Sequence, residues 1–412
     1  MAVKIIIGAD TAPTATNEDK FKEGNAAELF TEQLLEKFGS ADLLCLNLET
    51  TLTNAPVTAK YPGPYLTAKP ETVAALAKLS NLVLNTGNNH TLDCGEAGIM
   101  ETINTLKKAG IQNFGAGADI NEASKPYIFK KDGITIGMLS LSEYGCSHAT
   151  QSTAGANPYD PLTSFESVAA LSAQCDKVIV LYHGGREFYR YPTPNLQKIC
   201  RKLADSGADI VICQHSHCVG CYEQYGATTI VYGQGNVLLD RNENEYKKTA
   251  ILVEIDIDTK QPATDTQPAT AQVTDILPTA AKTADAQPGD MRISYIPLCK
   301  NNACVRLADS GNEPGNSISE AAKILRDFDT RSEEITKPGF IDAEFAKMAD
   351  AAYKGFIYKI AGSNKLLRML NKISGGKFYD KLYNDRDAAA VLNMLTASNH
   401  AETLAEGLKH HV

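Results

Sequence analysis

Up to about residue 240 the chain alternates apolar runs of strand length with stretches of helical period, and the apolar runs stop abruptly at Asp, Glu, Asn or His. Short apolar runs bounded by turn residues read as buried strands, and longer stretches with apolar residues three and four apart read as amphipathic helices. Their alternation argues an α/β fold in which helices cover the sheets. The strands expected are Val3–Gly8, Asp42–Leu48, Leu82–Thr86, Lys177–Tyr182, the run that opens at Asp209, and Thr228–Tyr232. Helices are expected over Ala26–Phe38, Glu71–Leu79, Glu96–Ala109 with Gly110 as its stop, Phe165–Ala173 and Leu196–Ser206. Tyr127–Leu141 reads as a hairpin turning at Lys131-Asp132-Gly133.

The polar residues gather at the C-terminal ends of these strands, where sites in α/β sheets collect. In chain order they are Asp10, Glu49, Asn89 with His90, His183, and His215 with His217. Taken singly, Asp10 reads equally as a helix cap, Asn89 as a turn residue and His183 as a packed strand-end histidine. Together they form a set, because carboxylates, an amide oxygen and imidazoles are ligands of borderline divalent metals. His215 and His217, one residue apart after a strand, can turn both rings toward one centre.

Composition narrows the classes. The formal charge of −9 argues against a nucleic-acid partner, which needs a basic footprint. No stretch approaches the roughly 20 apolar residues of a membrane helix. Met1–Asp10 reads as a strand and not as a secretory leader. Ten cysteines spread over 412 residues, several inside apolar runs, fit a reducing compartment. Cys218 and Cys221 with Cys299 and Cys304 leave a structural zinc open, against simple packing. The location expected is the cytoplasm, or the inner face of the membrane.

Beyond residue 250 the texture changes. Ile251–Ile257 and Met291–Leu298 read as a closing strand pair, and residues 261–289, rich in Pro, Ala, Thr and Gln, as a flexible insertion. Residues 1–300 would form the main domain and 301–412 a helical C-terminal region. Within the latter, Lys354, Lys359, Lys365, Arg368, Lys372, Lys377 and Lys381 make a basic amphipathic stretch. It is either a solvated helix face or a dock for an anionic polymer or membrane surface.

Several of these segments carry a resemblance: Asp10, Asn47-Leu48-Glu49, Asn88-Asn89-His90-Thr91-Leu92-Asp93-Cys94-Gly95, Gly115-Ala116-Gly117, His183-Gly184-Gly185-Arg186-Glu187, His215-Ser216-His217 and Gly235-Asn236. The sequence resembles the CapA family of bacterial capsule and poly-γ-glutamate biosynthesis, whose domain is similar to calcineurin-like metallophosphoesterases. The resemblance implies a four-layer α-β-β-α sandwich of metallophosphoesterase type with a helical C-terminal extension. It implies one or two divalent ions (Mn, Fe or Zn) held by Asp10, Glu49, Asn89, His183, His215 and His217, with Glu49 bridging. It makes His90 the catalytic acid, oriented by Asp93, and places Asn47, Asn88, Arg186, Glu187 and Asn236 along the substrate cleft.

The function implied is a metal-dependent hydrolase acting on a phosphoester or a capsule-polymer linkage. The alternative is a non-catalytic polymer-binding or assembly component. The partners implied are capsule polymer or its precursor, and a membrane-bound capsule-synthesis complex reached through the basic C-terminal helices. Two positions depart from the pattern. Asp10-Thr11-Ala12 stands where metallophosphoesterases carry Asp-x-His, which weakens one metal position. Gly184 stands where the family usually has an aromatic, and the chain has no Trp.

Overall fold

Strand β1 (Ala2–Ala12) is buried almost from end to end and forms the axis of the larger sheet. The computed structural model describes residues 2–59, 64–143, 147–239, 246, 248–259, 290–301, 304–311 and 318–349, with a few between 369 and 377. After β1 come α1 (Glu18–Lys22), α2 (Ala26–Leu29) and α3 (Glu32–Gly39). The single helix expected over Ala26–Phe38 is therefore two, because Phe30 is extended and bridges Val305. The Thr31 amide donates to the Val305 carbonyl at 3.0 Å.

Next follow β2 (Leu43–Leu48), β3 (Thr51–Leu52) and β4 (Thr67–Ala68), then a 3-10 turn, Pro70–Thr72, that opens α4 (Val73–Leu76). β5 (Leu82–Asn85) leads to α5 (Gly95–Lys108), β6 (Gln112–Phe114), β7 (Ala116–Gly117) and α6 (Ile120–Ala123). β8 (Tyr127–Lys131) and β9 (Ile134–Ser142) form the expected hairpin. Its two-residue turn places both Asp132 (φ 48°) and Gly133 (φ 78°) in the left-handed region, as a turn matched to strand twist requires.

β10 (Gly155–Ala156), α7 (Ser164–Ser172), β11 (Lys177–His183), α8 (Pro194–Asp205) and β12 (Ile210–Gln214) continue the alternation. The closing elements are β13 (Tyr222–Tyr225), β14 (Thr228–Val231), β15 (Leu238–Leu239), β16 (Thr249–Asp258), β17 (Met291–Asn301), β18 (Cys304–Leu307) and α9 (Glu320–Glu334).

Two sheets result. The larger runs β18-β17-β16-β1-β2-β5-β6 with β15 beside the end of β1, and the smaller runs β13-β14-β12-β11-β9-β8. Period-two alternation assigns each strand one residue set per face. Ile5 and Ile7 of β1, Cys45 of β2 and Val253 of β16 meet Ile136 of β9, Ile179 of β11 and Ile212 of β12, so the sheets pack face to face. On the opposite face of the larger sheet, Ile6, Leu44 and Leu46 pack against Phe21, Leu29, Leu34 and Phe38 of the first helices. α7 contacts β9 and β11, and α8 contacts β12 and β14, over the smaller sheet's outer face.

The chain divides into two compact units, Met1–Phe340 and Ile341–Val412. β18 and α9 thus belong to the first unit although both lie beyond residue 300. In the second, residues 341–349 are helical and Lys372 and Lys377 are exposed. Lys354, Lys359, Lys365, Arg368 and Lys381, and the insertion expected over 261–289, lie outside the described residues. Among the described residues no helix is long and apolar enough to cross a membrane.

A buried polar clamp ties the sheets together near the strand ends. The Gln234 amide donates to the carbonyls of Ile7 (2.8 Å) and Ile251 (3.2 Å), and its oxygen accepts from Gln214 Nε2 at 3.3 Å. Gln234→Met keeps the volume but removes these bonds and leaves buried groups unpaired. It should lower the unfolding free energy by about 1–3 kcal/mol. In urea the midpoint should fall with an unchanged slope; an unchanged midpoint would show that the clamp contributes nothing.

Candidate metal centre

Asp10 within the C-terminal end of β1, His183 as the last residue of β11, and the loops after β2, β5 and β12, with Glu49, Asn89 and His90, and His215 and His217, meet at one end of the paired sheets. Glu49 and His183 are completely buried, and Asp10, His90, His215 and His217 nearly so. One ligand atom each from Glu49, His215 and His217 lies within 4.8 Å of the others, the only such group among the described residues. Asp10 Oδ2 lies 3.3 Å from His217 Nδ1, and Glu49 Oε1 lies 3.5 Å from His183 Nε2. Asn89 joins through its oxygen, 2.7 Å from His183 Nε2. The His183 and His215 rings are 5.1 Å apart, and those of His215 and His217 5.7 Å.

The backbone is forced to make this arrangement. His215 (φ 90°) and His217 (φ 55°) both occupy the left-handed region, which residues with a Cβ rarely adopt. Between them, the Ser216 carbonyl accepts the Phe188 amide at 2.8 Å, docking the loop after β11 onto the loop after β12. On the other sheet, Gly87 lets the loop after β5 touch Gly115 so closely that any Cβ there would collide with the Gly115 carbonyl.

Asn47 and Asn88 serve as scaffold rather than as open cleft residues. Asn47 Nδ2 donates to Asp10 Oδ1 at 2.8 Å, while Asn47 Oδ1 accepts from Asn85 (3.1 Å) and Asn88 (3.2 Å). Asn88 also donates to the Leu48 carbonyl at 2.8 Å, and its oxygen accepts the His90 amide at 3.1 Å. His90 Nδ1 is 2.8 Å from Asp93 Oδ2, which also accepts the Leu66 amide at 2.6 Å. Arg186 and Glu187 are exposed at the rim, with Glu187 Oε1 3.7 Å from His215 Nε2.

Three features were not visible in the sequence. Phe188, itself at φ 56°, places its ring 5.8 Å from that of His217. Glu143 accepts the Gly185 amide at 2.7 Å. A Cβ at Gly184 would meet Glu143 and Tyr182, so this backbone has no room for the aromatic that the resembled family usually carries there. The Gly-Gly pair after His183 was the one local hint. Ala12, where a histidine would stand, packs against Leu66 and Leu239. Cys218 and Cys221 are buried, with burial raising both thiols.

The electrostatics fit a cation. Neither oxygen of Glu49 has a hydrogen-bond partner among the described residues. A buried carboxylate left so is strongly unfavourable unless a positive charge faces it. Burial works to discharge His217, but Glu49 and the Asp10 carboxylate prevail and push its pKa up to about 9. Burial would raise Asp10, yet His217 and His183 hold it well below the usual carboxylate range. His215 is driven well below its ordinary value by burial, reinforced by His183 and His217. For His90, burial is outweighed by the Asp93 bond and the Glu49 charge, and the net shift is upward.

Residues 4–241, more than half of the chain and every residue of the centre, match the family profile described as bacterial capsule synthesis protein PGA_cap. The chain belongs to this family. It is 26% identical over 238 residues to the PGA biosynthesis protein CapA of Bacillus subtilis strain 168, covering 57% of this chain and 63% of that one. With the capsule biosynthesis protein CapA of Bacillus anthracis it shares 27% identity over 194 residues, 46% of this chain and 47% of the relative. The chain thus spans about half to somewhat under two thirds of these family members. Among solved structures, the NAD nucleotidase NadN of Haemophilus influenzae overlaps at a TM-score of 0.38 and 14% identity, over 85% of this chain and 60% of that one. That overlap is too loose to bear on activity.

Since His217 is protonated near neutrality in the ion-free protein, a cation must displace that proton. Affinity should therefore rise with pH and level off near 9. Calorimetry in buffers of different ionisation enthalpy should show roughly one proton released by the ion that takes His217 at about pH 7.5. Without the ion the sign reverses. A pKa raised from 6.5 to about 9 contributes stability that is full below 6.5 and is lost as pH climbs through 9. Affinity that stays flat from pH 6.5 to 9 would contradict this account.

Proposed function

We propose that the chain is a divalent-metal-dependent hydrolase of capsule or poly-γ-glutamate biosynthesis, acting on a phosphoester or a capsule-polymer linkage. One observation carries the reading: a buried His90–Asp93 pair at 2.8 Å stands beside a buried carboxylate, Glu49, that has no hydrogen-bond partner among the described residues. A site that only held a cation for structure would need the carboxylate and not the pair. Glu49, Asn89, His183 and His215 would hold one ion, and Asp10 and His217 with Glu49 a weaker second.

Held there, a divalent ion (Mn, Fe or Zn) would supply Lewis-acid chemistry to a substrate oxygen or a water. The chain's own residues supply the rest. Asp93 accepts from His90 Nδ1, so the other ring nitrogen, Nε2, is the one left to hold or deliver a proton. Asp93 and the charge of Glu49 keep His90 protonated to higher pH than a free imidazole, which suits a general acid. Asn88 fixes the His90 backbone, and Asn47 fixes Asp10 and Asn88. Arg186, exposed at the rim beside Glu187, would attract an anionic polymer. Docking to a membrane-bound synthesis complex through the basic residues of the C-terminal region belongs to the same proposal.

His90→Asn should leave metal content unchanged and lower turnover of a phosphomonoester, phosphodiester or poly-γ-glutamate substrate by roughly 10²–10⁴-fold. Asp93→Asn should cost less and move the alkaline limb of the rate profile to lower pH, because the carboxylate that favours the charged imidazole is gone. Full activity of His90→Asn on a substrate that the unaltered protein turns over would remove the catalytic assignment and favour a polymer-binding component.

A further inference from the structure

The donor set around the weaker ion position is one short on β1. Ala12, two residues beyond Asp10, is enclosed by Leu66 and Leu239 and offers nothing. The strand beside it offers a replacement. β15 runs parallel to the end of β1, with Thr11 opposite Leu238 and Ala12 opposite Leu239. That pairing brings Asn236, just upstream, beside the Asp10 segment.

Three buried oxygens converge on one nitrogen there. From His217 Nδ1, Asn236 Oδ1 lies 2.8 Å away, Asp10 Oδ2 3.3 Å and Glu49 Oε2 3.9 Å. Ligand atoms on a shared divalent ion, with bonds of roughly 2.0–2.2 Å, stand about 3–3.5 Å apart, so this cluster is near coordination spacing before any ion enters. The nitrogen that faces both carboxylates is Nδ1. An ion held between Asp10 and Glu49 therefore meets His217 through Nδ1, and that nitrogen then has no proton to give. Asn236 Oδ1 would lose its donor and be left buried, which is unfavourable unless the ion takes it.

Asn236 is otherwise idle. It is fully buried and its Nδ2 has no hydrogen-bond partner among the described residues. Its backbone, by contrast, is firmly held. Lys300 Nζ donates to its carbonyl at 2.6 Å, and Gly235, at φ 72°, passes so near β16 that a Cβ would lie 2.6 Å from the Thr249 carbonyl. An amide oxygen is a suitable ligand for Mn and Zn in mixed oxygen and imidazole sets.

We propose that Asn236 is a metal ligand, whose side-chain oxygen joins Asp10, Glu49 and His217 Nδ1 around the second ion in place of the histidine absent at Ala12. The inference rests on the metal-dependent reading above for the presence of an ion, and adds the residue that completes its second position.

The test uses the full chain, zinc titration by calorimetry, and the imidazole nitrogen resonances of the zinc-loaded, ¹⁵N-histidine-labelled protein. The expected result is two zinc ions per chain with His217 bound through Nδ1. Asn236→Leu, similar in volume, should leave the first ion unaffected and weaken the second at least about tenfold. Asn236→Asp should keep both. A His217 protonated at Nδ1 and bound through Nε2 would make Asn236 a mere orienting acceptor and overturn the proposal, as would unchanged affinities in Asn236→Leu. If that variant fails to fold, the resonances of the unaltered protein decide alone. Uptake of a single ion at His183 and His215 would sink this inference and leave the metal-dependent reading standing, whereas no zinc uptake would sink both.

Discussion

A carboxylate buried with no hydrogen-bond donor is hard to tolerate in a protein, and among the described residues Glu49 meets none. Much of the molecule near it answers that one charge. His183 and His217 turn nitrogens toward its two oxygens at 3.5 and 3.9 Å. His217 keeps its proton far above the usual imidazole range, and Glu49 is the largest force holding it there. An imidazolium is a single positive charge facing two carboxylates, Glu49 and Asp10. A divalent cation balances that pair fully, and the surrounding donors are of the kinds such an ion takes.

The second constraint is rigidity. Metal ligands must be held before the ion arrives, or their ordering works against binding. Here the left-handed backbones of His215 and His217 store strain that the rest of the fold must offset, through the Phe188–Ser216 bond and the Gln214–Gln234 clamp behind them. The Asn47, Asn85 and Asn88 amides do the same for the larger sheet's side of the centre. The two halves of the site thus ride on two sheets whose shared core, from Ile5 and Ile7 to Ile179 and Ile212, fixes their separation.

Much of this was legible from local pattern. Strands that end in ligand-type residues, the Asp132-Gly133 turn and the Gly110 stop each follow from a few neighbouring residues. What was not legible depends on distant partners. The break at Phe30 exists because Val305 pairs there, almost the whole domain away in sequence. β13 and β18 are short and not strongly apolar, and they become strands by pairing with β14 and β17. Asn47 and Asn88 resembled cleft residues but are engaged inside the protein, since an Asn side chain's role is set by whichever groups surround it. No local sequence pattern marks Phe188 as adopting a left-handed backbone.

Unfolding of Glu49→Gln with and without a divalent ion tests the central claim most directly. A ligand that binds only the native state stabilises it by an amount that grows with the logarithm of its concentration over its Kd. If Glu49 is an ion's carboxylate, removing its charge should abolish the rise in Tm with added manganese or zinc, while in chelator near neutrality the variant, having lost the charge that holds the His217 proton, should be no more stable than the unaltered protein. A variant that still gains as much from the ion would show that Glu49 is a structural group and that the centre is not organised around it.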